Sequence, residues 1–197
     1  MKKEITIVVV TYCSAQYVID TLNGVYNQTY PFIHLIISDD QSLDDTVQVC
    51  QDWLDIHKKR FLTTQIIQTP KNLGAVGNCK QALTHITTEL YIMTAGDDYL
   101  APTHVEKCVE KYATMPDAGL VYTNAYLVLE KEGGRLLEED ISKFKEGYIF
   151  DDLLQLNFWP KSTGWMLRKD AVESVGGYNT DVWVGDYDLA LRSEEHT

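Results

Sequence analysis

The stretch ITIVVVTY at residues 5–12 decides the fold class of this chain. Its first six residues are all β-branched, and an unbroken run of this type is typical of a strand that is buried on both faces of a parallel sheet. Thr11 and Tyr12 end the run, which makes it too short for a membrane span or for the apolar core of a signal peptide. The sequence therefore predicts a strand buried on both faces over Ile5–Val10.

Strands and helices alternate after this first strand. Further buried strands are predicted by apolar runs at Phe32–Ile37, Phe61–Ile67, Leu90–Thr94 and Gly119–Tyr122. Helices are predicted by apolar residues at helical spacing over Gln16–Gln28, from Asp44 onward, over Leu73–Ile86 and over Pro102–Thr114. Such strict alternation predicts an α/β domain with a mixed, mainly parallel sheet, flanked by helices and joined by right-handed crossovers.

The pattern changes after Asn124. A hairpin is predicted over residues 125–137, short helices over 150–156 and 169–175, a strand over Trp165–Arg168 and a further helix from Tyr187. We therefore divide the chain into residues 1–124 and residues 125–197. Because the last helix is cut off almost as soon as it begins, we interpret the second part as truncated.

Composition narrows the classes of function. The chain of 197 residues contains 29 acidic and 17 basic residues, which gives a formal net charge of −12. An acidic surface without a basic stripe repels nucleic acid, so we expect no nucleic-acid partner. The same charge means that a phosphate ligand would need a cation beside it, although solubility alone also explains an acidic surface.

Four cysteines are scattered along the chain without the paired spacing of a zinc site. They are Cys13, Cys50, Cys79 and Cys108. We interpret them as free thiols in a reducing compartment. No later segment is apolar over the length that a bilayer span requires. We therefore expect a cytoplasmic protein, and peripheral association with the inner face of the membrane stays open.

Two acidic pairs each follow a predicted strand. Asp39-Asp40 comes after the second strand, and Asp97-Asp98 comes after the fourth. In open α/β sheets ligands bind at the carboxyl ends of the strands, so we expect these carboxylates to lie near one site. Adjacent carboxylates repel each other unless a cation offsets them, and Mg²⁺ or Mn²⁺ is typically held by one or two carboxylates together with substrate phosphates. Plain turns or helix caps are the alternative interpretation of each pair.

Two further segments are candidates for binding or chemistry. Asn72-Leu73-Gly74 begins a predicted helix, where backbone amides favour anions. The segment Gly185–Asp188 contains Asp186, a carboxylate that could deprotonate a hydroxyl group, although taken alone the segment is typical of a helix N-terminus. Among the histidines, His34 lies in an apolar strand and is predicted to belong to the core. The others have no partner at the spacing of metal ligands.

In combination these segments resemble family 2 glycosyltransferases of the GT-A (Rossmann-like) fold. The resemblance is carried by IVVVTY at 7–12, IISDDQSLD at 36–44, NLG at 72–74, GDD at 96–98, GGYN at 176–179 and GDYDLALR at 185–192. It covers nearly the whole chain. No single motif is specific, but their common order and spacing are.

The resemblance implies a role for each matching position. The nucleotide base pocket would be lined by Val9, Val10, Thr11 and Tyr12. Asp39 would contact the base, and Asn72 and Gly74 would belong to the same nucleotide-sugar site. Asp97 would bind the ribose side and share with Asp98 the divalent metal that bridges the diphosphate.

Asp186 matches the catalytic base of the family. The implied reaction moves a hexosyl-type sugar from a nucleotide-diphosphate sugar, a UDP-sugar, to a hydroxyl of a saccharide or lipid-linked saccharide acceptor, with inversion at the anomeric carbon. The implied cofactor is Mn²⁺ or Mg²⁺, and the implied pathway is cell-surface polysaccharide synthesis. Residues 1–124 would then bind the nucleotide sugar, and residues 125–197 would supply the base and face the acceptor.

Two positions depart from the family pattern. Ala95 stands where many members have an acidic residue, which removes one candidate metal ligand, and Gly185 stands where a Glu is common. A non-catalytic nucleotide-sugar-binding module is the alternative function, and donor binding without transfer would favour it. A nucleotidyltransferase ranks last, because TYCSAQ at residues 11–16 lacks the glycine- and arginine-rich phosphate loop of that class.

Overall fold

The computed structural model of the protein describes residues 3–129, 135–138, 144–158 and 160–195. The strands are β1 (Ile5–Thr11), β2 (Ile33–Asp39), β3 (Thr63–Gln68), β4 (Leu90–Ala95), β5 (Leu120–Val121), β6 (Tyr126–Leu129), β7 (Arg135–Glu138) and β8 (Met166–Arg168). The helices are α1 (Val18–Tyr26), α2 (Thr46–His57), α3 (Gly74–Leu83), α4 (His104–Thr114), α5 (Phe150–Leu154), α6 (Lys169–Ser174) and α7 (Gly185–Glu195). A short 3₁₀ turn, Lys58–Arg60, follows α2.

Six strands form one sheet in the order β3-β2-β1-β4-β8-β5. β1 pairs in parallel with β2 and with β4, and β2 pairs in parallel with β3. β8 is antiparallel to both of its neighbours, β4 and β5. The predicted mixed, mainly parallel sheet is therefore confirmed, and β1 lies between β2 and β4.

The later strands depart further from the prediction. β5 has only two residues, and it is separated from β4 because β8 enters the sheet between them. β6 and β7 form the predicted hairpin, with Tyr126 opposite Glu138. Since β8 belongs to the second half of the chain, both halves contribute to one sheet. The division at residue 124 stays a prediction about the roles of the two halves.

Apolar side chains pack in two clusters. The first core joins β1, β2 and β4 to α1, α2 and α4, and it includes Val9 and Leu22. The second core joins the sheet to α3, α6 and α7, and it includes Val8 and Leu189. Successive side chains of a strand point to opposite faces, so Val8 and Val9 of β1 supply different cores.

One buried side chain explains why two helices are shorter than predicted. α1 ends before Gln28, and α4 begins after Pro102. The amide nitrogen of Gln28 donates to the carbonyls of Gly24 and Ala101 at 2.9 and 2.8 Å, and its oxygen accepts from the Val105 N–H at 3.0 Å. Gln28 thus supplies partners to the free backbone groups at the end of α1 and the start of α4.

The cysteines and the helices agree with the features expected from composition. All four cysteines are free thiols. Burial raises the pKa of Cys50 and of Cys108 to about 12, so both stay protonated and pack as small apolar side chains. None of the helices in the described ranges has the length and apolar character needed to cross a membrane.

Candidate active site

Both acidic pairs lie at the carboxyl edge of the sheet, on either side of β1. Asp39 is the last residue of β2 and pairs with Thr11 of β1 in the sheet register. On the other side of β1, Ala95 ends β4, and Asp97 and Asp98 follow in the next turn. The strand order β2-β1-β4 therefore brings the two predicted pairs to one edge.

Gly96 allows the loop after β4 to approach β1. Its N–H donates to the carbonyl of Val10 at 2.9 Å. A Cβ at this position would come within 2.9 Å of Thr11 Cγ2 and 3.1 Å of Ser14 Oγ. Any other residue would therefore push the acidic pair away from β1.

Asp39 is fully buried, and the protein itself occupies its carboxylate. Oδ1 accepts from the Thr11 hydroxyl at 3.0 Å and from the Ser42 hydroxyl at 2.5 Å. Oδ2 accepts from the Ser42 N–H at 2.9 Å and from Gln68 Nε2 at 3.4 Å. The Gln68 bond is the longest, so a nucleotide base would most easily reach Asp39 by displacing that amide. The base contact of Asp39 stays a prediction.

Asp40 anchors the loop that precedes α3. Its Oδ1 accepts from the Thr69 hydroxyl at 2.9 Å and from the Leu73 N–H at 2.8 Å. Asn72 donates to the Asp40 carbonyl at 3.2 Å and accepts from the Gly74 N–H at 3.1 Å. Gly74 adopts a left-handed backbone with φ of +75°, which favours glycine. Asn72 and Gly74 thus shape this loop, and their contact with a donor stays a prediction.

The four residues predicted to line a base pocket do not share one environment. Val9 is fully buried in the first core, because the alternation of β1 turns its side chain toward the helices of that core, and its contact with a base stays a prediction. Val10 lines the cavity described below. Thr11 is buried against Asp39, and Tyr12 is about half exposed beyond the strand end. Of the four, Tyr12 is the most open to a ligand.

Asp97 and Asp98 differ in their surroundings. Asp97 is exposed, whereas Asp98 is partly buried and its Oδ2 accepts from the Thr163 hydroxyl at 2.9 Å. Burial raises the pKa of Asp98, the Thr163 hydrogen bond opposes that rise, and the charge of Asp97 adds to it. The alternative interpretation of Asp98 as a helix cap is wrong, because α4 begins only at His104 and the carboxylate bonds to Thr163 instead.

The chemistry of this pair fits a divalent cation that is held together with phosphate oxygens. Asp98 Oδ1 and the Asp97 carboxylate have no hydrogen bond or ion pair with the described residues. Within those residues, no group of three or more His, Cys, Asp or Glu side chains could hold a metal alone. Mg²⁺ and Mn²⁺ commonly take one or two carboxylates and complete their shell with phosphates and water. Asp97 and Asp98 are therefore suitable ligands.

Asp186 lies in the first turn of α7. Its Oδ1 accepts from the Tyr187 N–H at 2.8 Å. A Cβ on Gly185 would come within 2.8 Å of Val76 Cγ2 in α3. Glycine at this position, where a Glu is common in the family, therefore lets α7 pack closely against α3, and this packing places Asp186.

Asp188 serves the fold rather than the cavity. Its Oδ2 accepts from Arg192 Nε at 2.9 Å and from Arg192 Nη2 at 2.5 Å. Arg192 also donates to the carbonyls of Val175 and Gly177 at 2.5 and 2.9 Å. This pair thereby ties α7 to the glycine turn that follows α6.

Asp98 and Asp186 line the same cavity, which has a volume of about 320 Å³. The cavity lies between the end of β4, the start of α3 and the start of α7, and most of its apolar wall belongs to the second core. Burial raises the pKa of Cys79 to about 12 and that of Tyr178 well above its ordinary value, and the charge of Asp186 adds to both. These two groups stay protonated, so the carboxylates are the acid–base groups of the cavity.

Sequence reasoning missed two residues beside this cavity and misplaced a third. Thr163 bonds to a carboxylate 65 residues away, a contact that no local pattern reveals. His104 has no predicted role as a metal ligand, and in the structure it is buried, with its Nε2 donating to the carbonyl of Gly164 at 2.7 Å. His34 is not a core residue: it is partly exposed and its Nε2 lies 2.9 Å from Glu4.

The chain matches a known sequence family. The profile described as "Glycosyl transferase family 2" matches residues 6–176. This range contains both acidic pairs and ends before Asp186. The profile therefore does not bear on the assignment of Asp186 to the site. That assignment is supported by its place in the cavity and by the motif around it.

Two curated proteins are similar to this chain in sequence. The chondroitin synthase of Escherichia coli is 27% identical over 121 residues, which cover 60% of this chain and 17% of that protein. An uncharacterized glycosyltransferase of Haemophilus influenzae is 24% identical over 153 residues, which cover 78% of this chain and 45% of that protein. The chain spans less than half of the length of either relative.

Solved structures with the same fold bind nucleotide sugars. The mannosyltransferase PcManGT from Pyrobaculum calidifontis, in complex with GDP-Man and Mn²⁺, has a TM-score of 0.72 at 20% identity over 96% of this chain and 51% of its own. S. aureus TarS 1-349 in complex with UDP-GlcNAc has a TM-score of 0.74 at 18% identity over 97% of this chain and 53% of its own. Likeness at this level of identity shows the fold alone, and the predicted GT-A fold is confirmed.

Proposed function

The chain belongs to glycosyl transferase family 2, and we propose that it carries the donor site and the catalytic base of an inverting glycosyltransferase. The observation that carries the proposal is the cavity that Asp98 and Asp186 share at the carboxyl edge of the sheet. The donor is a nucleotide-diphosphate sugar, a UDP-sugar, and the acceptor is a hydroxyl of a saccharide or lipid-linked saccharide. Since the chain spans about half of the similar solved structures, transfer is proposed for the whole protein.

In this proposal Asp186 acts as the general base. Its carboxylate takes the proton of the acceptor hydroxyl, and the acceptor oxygen attacks the anomeric carbon on the face opposite the diphosphate. The bond from that carbon to the diphosphate breaks as the new glycosidic bond forms, so the configuration inverts. A bound Mn²⁺ or Mg²⁺ supplies neutralisation of the departing diphosphate. Asp97 and Asp98 would hold that ion.

The size of the cavity indicates which part of the donor it receives. Small-molecule sites commonly measure roughly 300–1,000 Å³, and this cavity of about 320 Å³ is near the lower end. It suits a sugar ring, with the diphosphate at Asp97 and Asp98. The nucleoside would then extend past the end of β1, where Tyr12 follows the strand, toward Asp39 at the end of the neighbouring β2.

For the biological setting we propose cell-surface polysaccharide synthesis, in the cytoplasm or at the inner face of the membrane. The support is family analogy together with one relative, the Escherichia coli protein named chondroitin synthase. Fold alone does not identify a pathway, so the acceptor must come from experiment.

We expect UDP to raise the melting temperature of the protein more than ADP or GDP does, at equal concentration and in the presence of Mn²⁺. Only binding to the folded state stabilises it, and Asp39 is a buried carboxylate at this edge that can accept from the imide of uracil. Asp39→Ala should remove the preference for UDP. Differential scanning fluorimetry with the three nucleotides measures the ranking.

Asp44→Ala is the matched control for this experiment. Asp44 lies in the loop that follows Asp39, and its carboxylate also accepts protein hydrogen bonds, from the Ala15 N–H at 3.2 Å and the Thr46 hydroxyl at 2.5 Å. Both substitutions leave donors without partners and should lower stability, but only Asp39→Ala should change the nucleotide ranking. Equal stabilisation by ADP and UDP, before and after the Asp39 substitution, would show that Asp39 does not read the base.

A further inference from the structure

Thr163, a residue outside the predicted site, contacts one carboxylate oxygen of Asp98 and leaves the other open to a ligand. The hydroxyl of Thr163 donates to Asp98 Oδ2 at 2.9 Å. Oδ1 accepts no hydrogen bond from the part of the chain that the structure describes. A carboxylate that is fixed at one oxygen keeps the lone pairs of the other in one direction, which is how outer residues of metal sites orient a ligating carboxylate.

The segment that carries Thr163 is itself held in place. His104 is buried, and its Nε2 donates to the carbonyl of Gly164, the next residue, at 2.7 Å. Because a carbonyl only accepts, Nε2 carries the proton and Nδ1 accepts from the Thr123 hydroxyl at 3.3 Å. The imidazole thus connects α4 to the segment before β8 and uses both of its nitrogen atoms.

Steric packing fixes the same segment from a second side. Gly164 has a left-handed backbone with φ of +73°. A Cβ at this position would come within 2.8 Å of His104 Nε2 and of Leu100 Cδ2. Leu100 lies two residues after Asp98, in the segment between β4 and α4. The close packing of Gly164 against Leu100 therefore helps to fix the segment of Thr163 relative to that of Asp98, in addition to the Thr163–Asp98 hydrogen bond.

We propose that Thr163 is a positioning residue of the donor site, which holds Asp98 so that its free oxygen binds the divalent cation of the nucleotide diphosphate. The inference rests on the proposed function, because it assumes that Asp98 is a cation ligand. His104 acts one step further out, by fixing the backbone beside Thr163. A purely structural Thr163 would contribute to folding stability and leave cation affinity unchanged.

The test removes the hydroxyl without changing the shape of the side chain. We expect Thr163→Val to weaken Mn²⁺ binding in the presence of saturating UDP by roughly 10–100-fold, the usual effect of losing an outer hydrogen bond at a metal site. Thr163→Ser keeps the hydroxyl and should bind Mn²⁺ nearly as tightly as the unmodified protein. Titration of free Mn²⁺ by electron paramagnetic resonance measures the affinity without any transfer assay.

Thr114→Val is the matched control. Thr114 is exposed at the end of α4, and its hydroxyl donates to the Lys111 carbonyl at 2.8 Å, away from the cavity. It should bind Mn²⁺ and UDP as the unmodified protein does. If Thr163→Val binds Mn²⁺ as tightly as the control, the positioning role is overturned while the proposed function stands. If the unmodified protein binds neither Mn²⁺ nor UDP, both are overturned.

Folding of the variants is checked by the melting temperature without ligand. Should Thr163→Val fail to fold, Thr163→Ala takes its place in the titration and should show the same weakening. If the Val and Ala variants both unfold while the Ser variant folds, the hydroxyl acts through stability alone and the positioning role is overturned.

Discussion

Asp186→Asn is expected to lower sugar transfer by roughly 10²–10⁴-fold, the usual contribution of a positioned acid–base group. The substitution removes basicity and keeps shape. Asp186 Oδ1 accepts from the Tyr187 N–H at 2.8 Å, and the amide oxygen of Asn can accept the same bond. Melting temperature and Mn²⁺-dependent UDP binding should therefore stay close to those of the unmodified protein. Transfer has to be assayed in the full-length protein.

Asp188→Asn is the matched control for this prediction. Asp188 is the other acidic residue in the first turn of α7, but it is paired with Arg192. Its substitution should lower the melting temperature and have a much smaller effect on transfer by the folded protein. Near-normal transfer by Asp186→Asn would place the base elsewhere. Donor binding without any transfer by the unmodified full-length protein would favour the alternative of a non-catalytic binding module.

Asp98→Asn is expected to remove most of the Mn²⁺-dependent binding of UDP. A ligand to the cation is lost, so the effect should exceed the roughly 10–100-fold that an outer hydrogen bond contributes. Asp97→Asn should weaken binding less, because Asp97 is exposed and less fixed by the protein. Isothermal titration of UDP with Mn²⁺ and with excess EDTA measures the difference. Tight binding in EDTA that neither substitution changes would exclude a metal site here.

The same Asp98 substitution should raise the melting temperature of the ligand-free protein near neutral pH. Burial and the charge of Asp97 raise the pKa of Asp98, so the ionised carboxylate disfavours the folded state. The ionised carboxylate destabilises the folded state above this raised pKa, and the destabilisation disappears as the pH falls through it. The stability gain of the Asn variant should therefore shrink in acid. A gain in stability with a loss of binding is typical of functional groups.

The sequence could predict the parts of the fold that repeat a local pattern. The β-branched run of β1 and the acidic pairs after β2 and β4 follow from strand patterning and from the rule that ligands bind at the carboxyl edge. The position of β8 between β4 and β5 could not be predicted, because three residues carry no signal for antiparallel pairing with distant strands. Nor could the sequence predict which face of β1 packs in which core, since a fully apolar strand does not reveal it.

Site residues could be predicted where the residue type itself indicates the chemistry. They could not be predicted where the role depends on a contact in the folded structure. Asp98 and Asp186 were candidates from their motifs, and the structure places both in one cavity. Thr163 and His104 are ordinary residues in sequence, and they become relevant only through hydrogen bonds across long separations. Such contacts depend on the packed structure, which single-sequence patterns do not encode.

The two cores differ in their relation to the cavity, and this difference affects how sugar specificity can change among homologues. Most apolar residues of the cavity, among them Val10, Trp165 and Leu189, pack with the second core, and none belongs to the first. Substitutions at separated sites tend to act independently. Selection for a new sugar can therefore reshape the cavity face while the first core preserves the scaffold, so specificity should drift among homologues faster than architecture does.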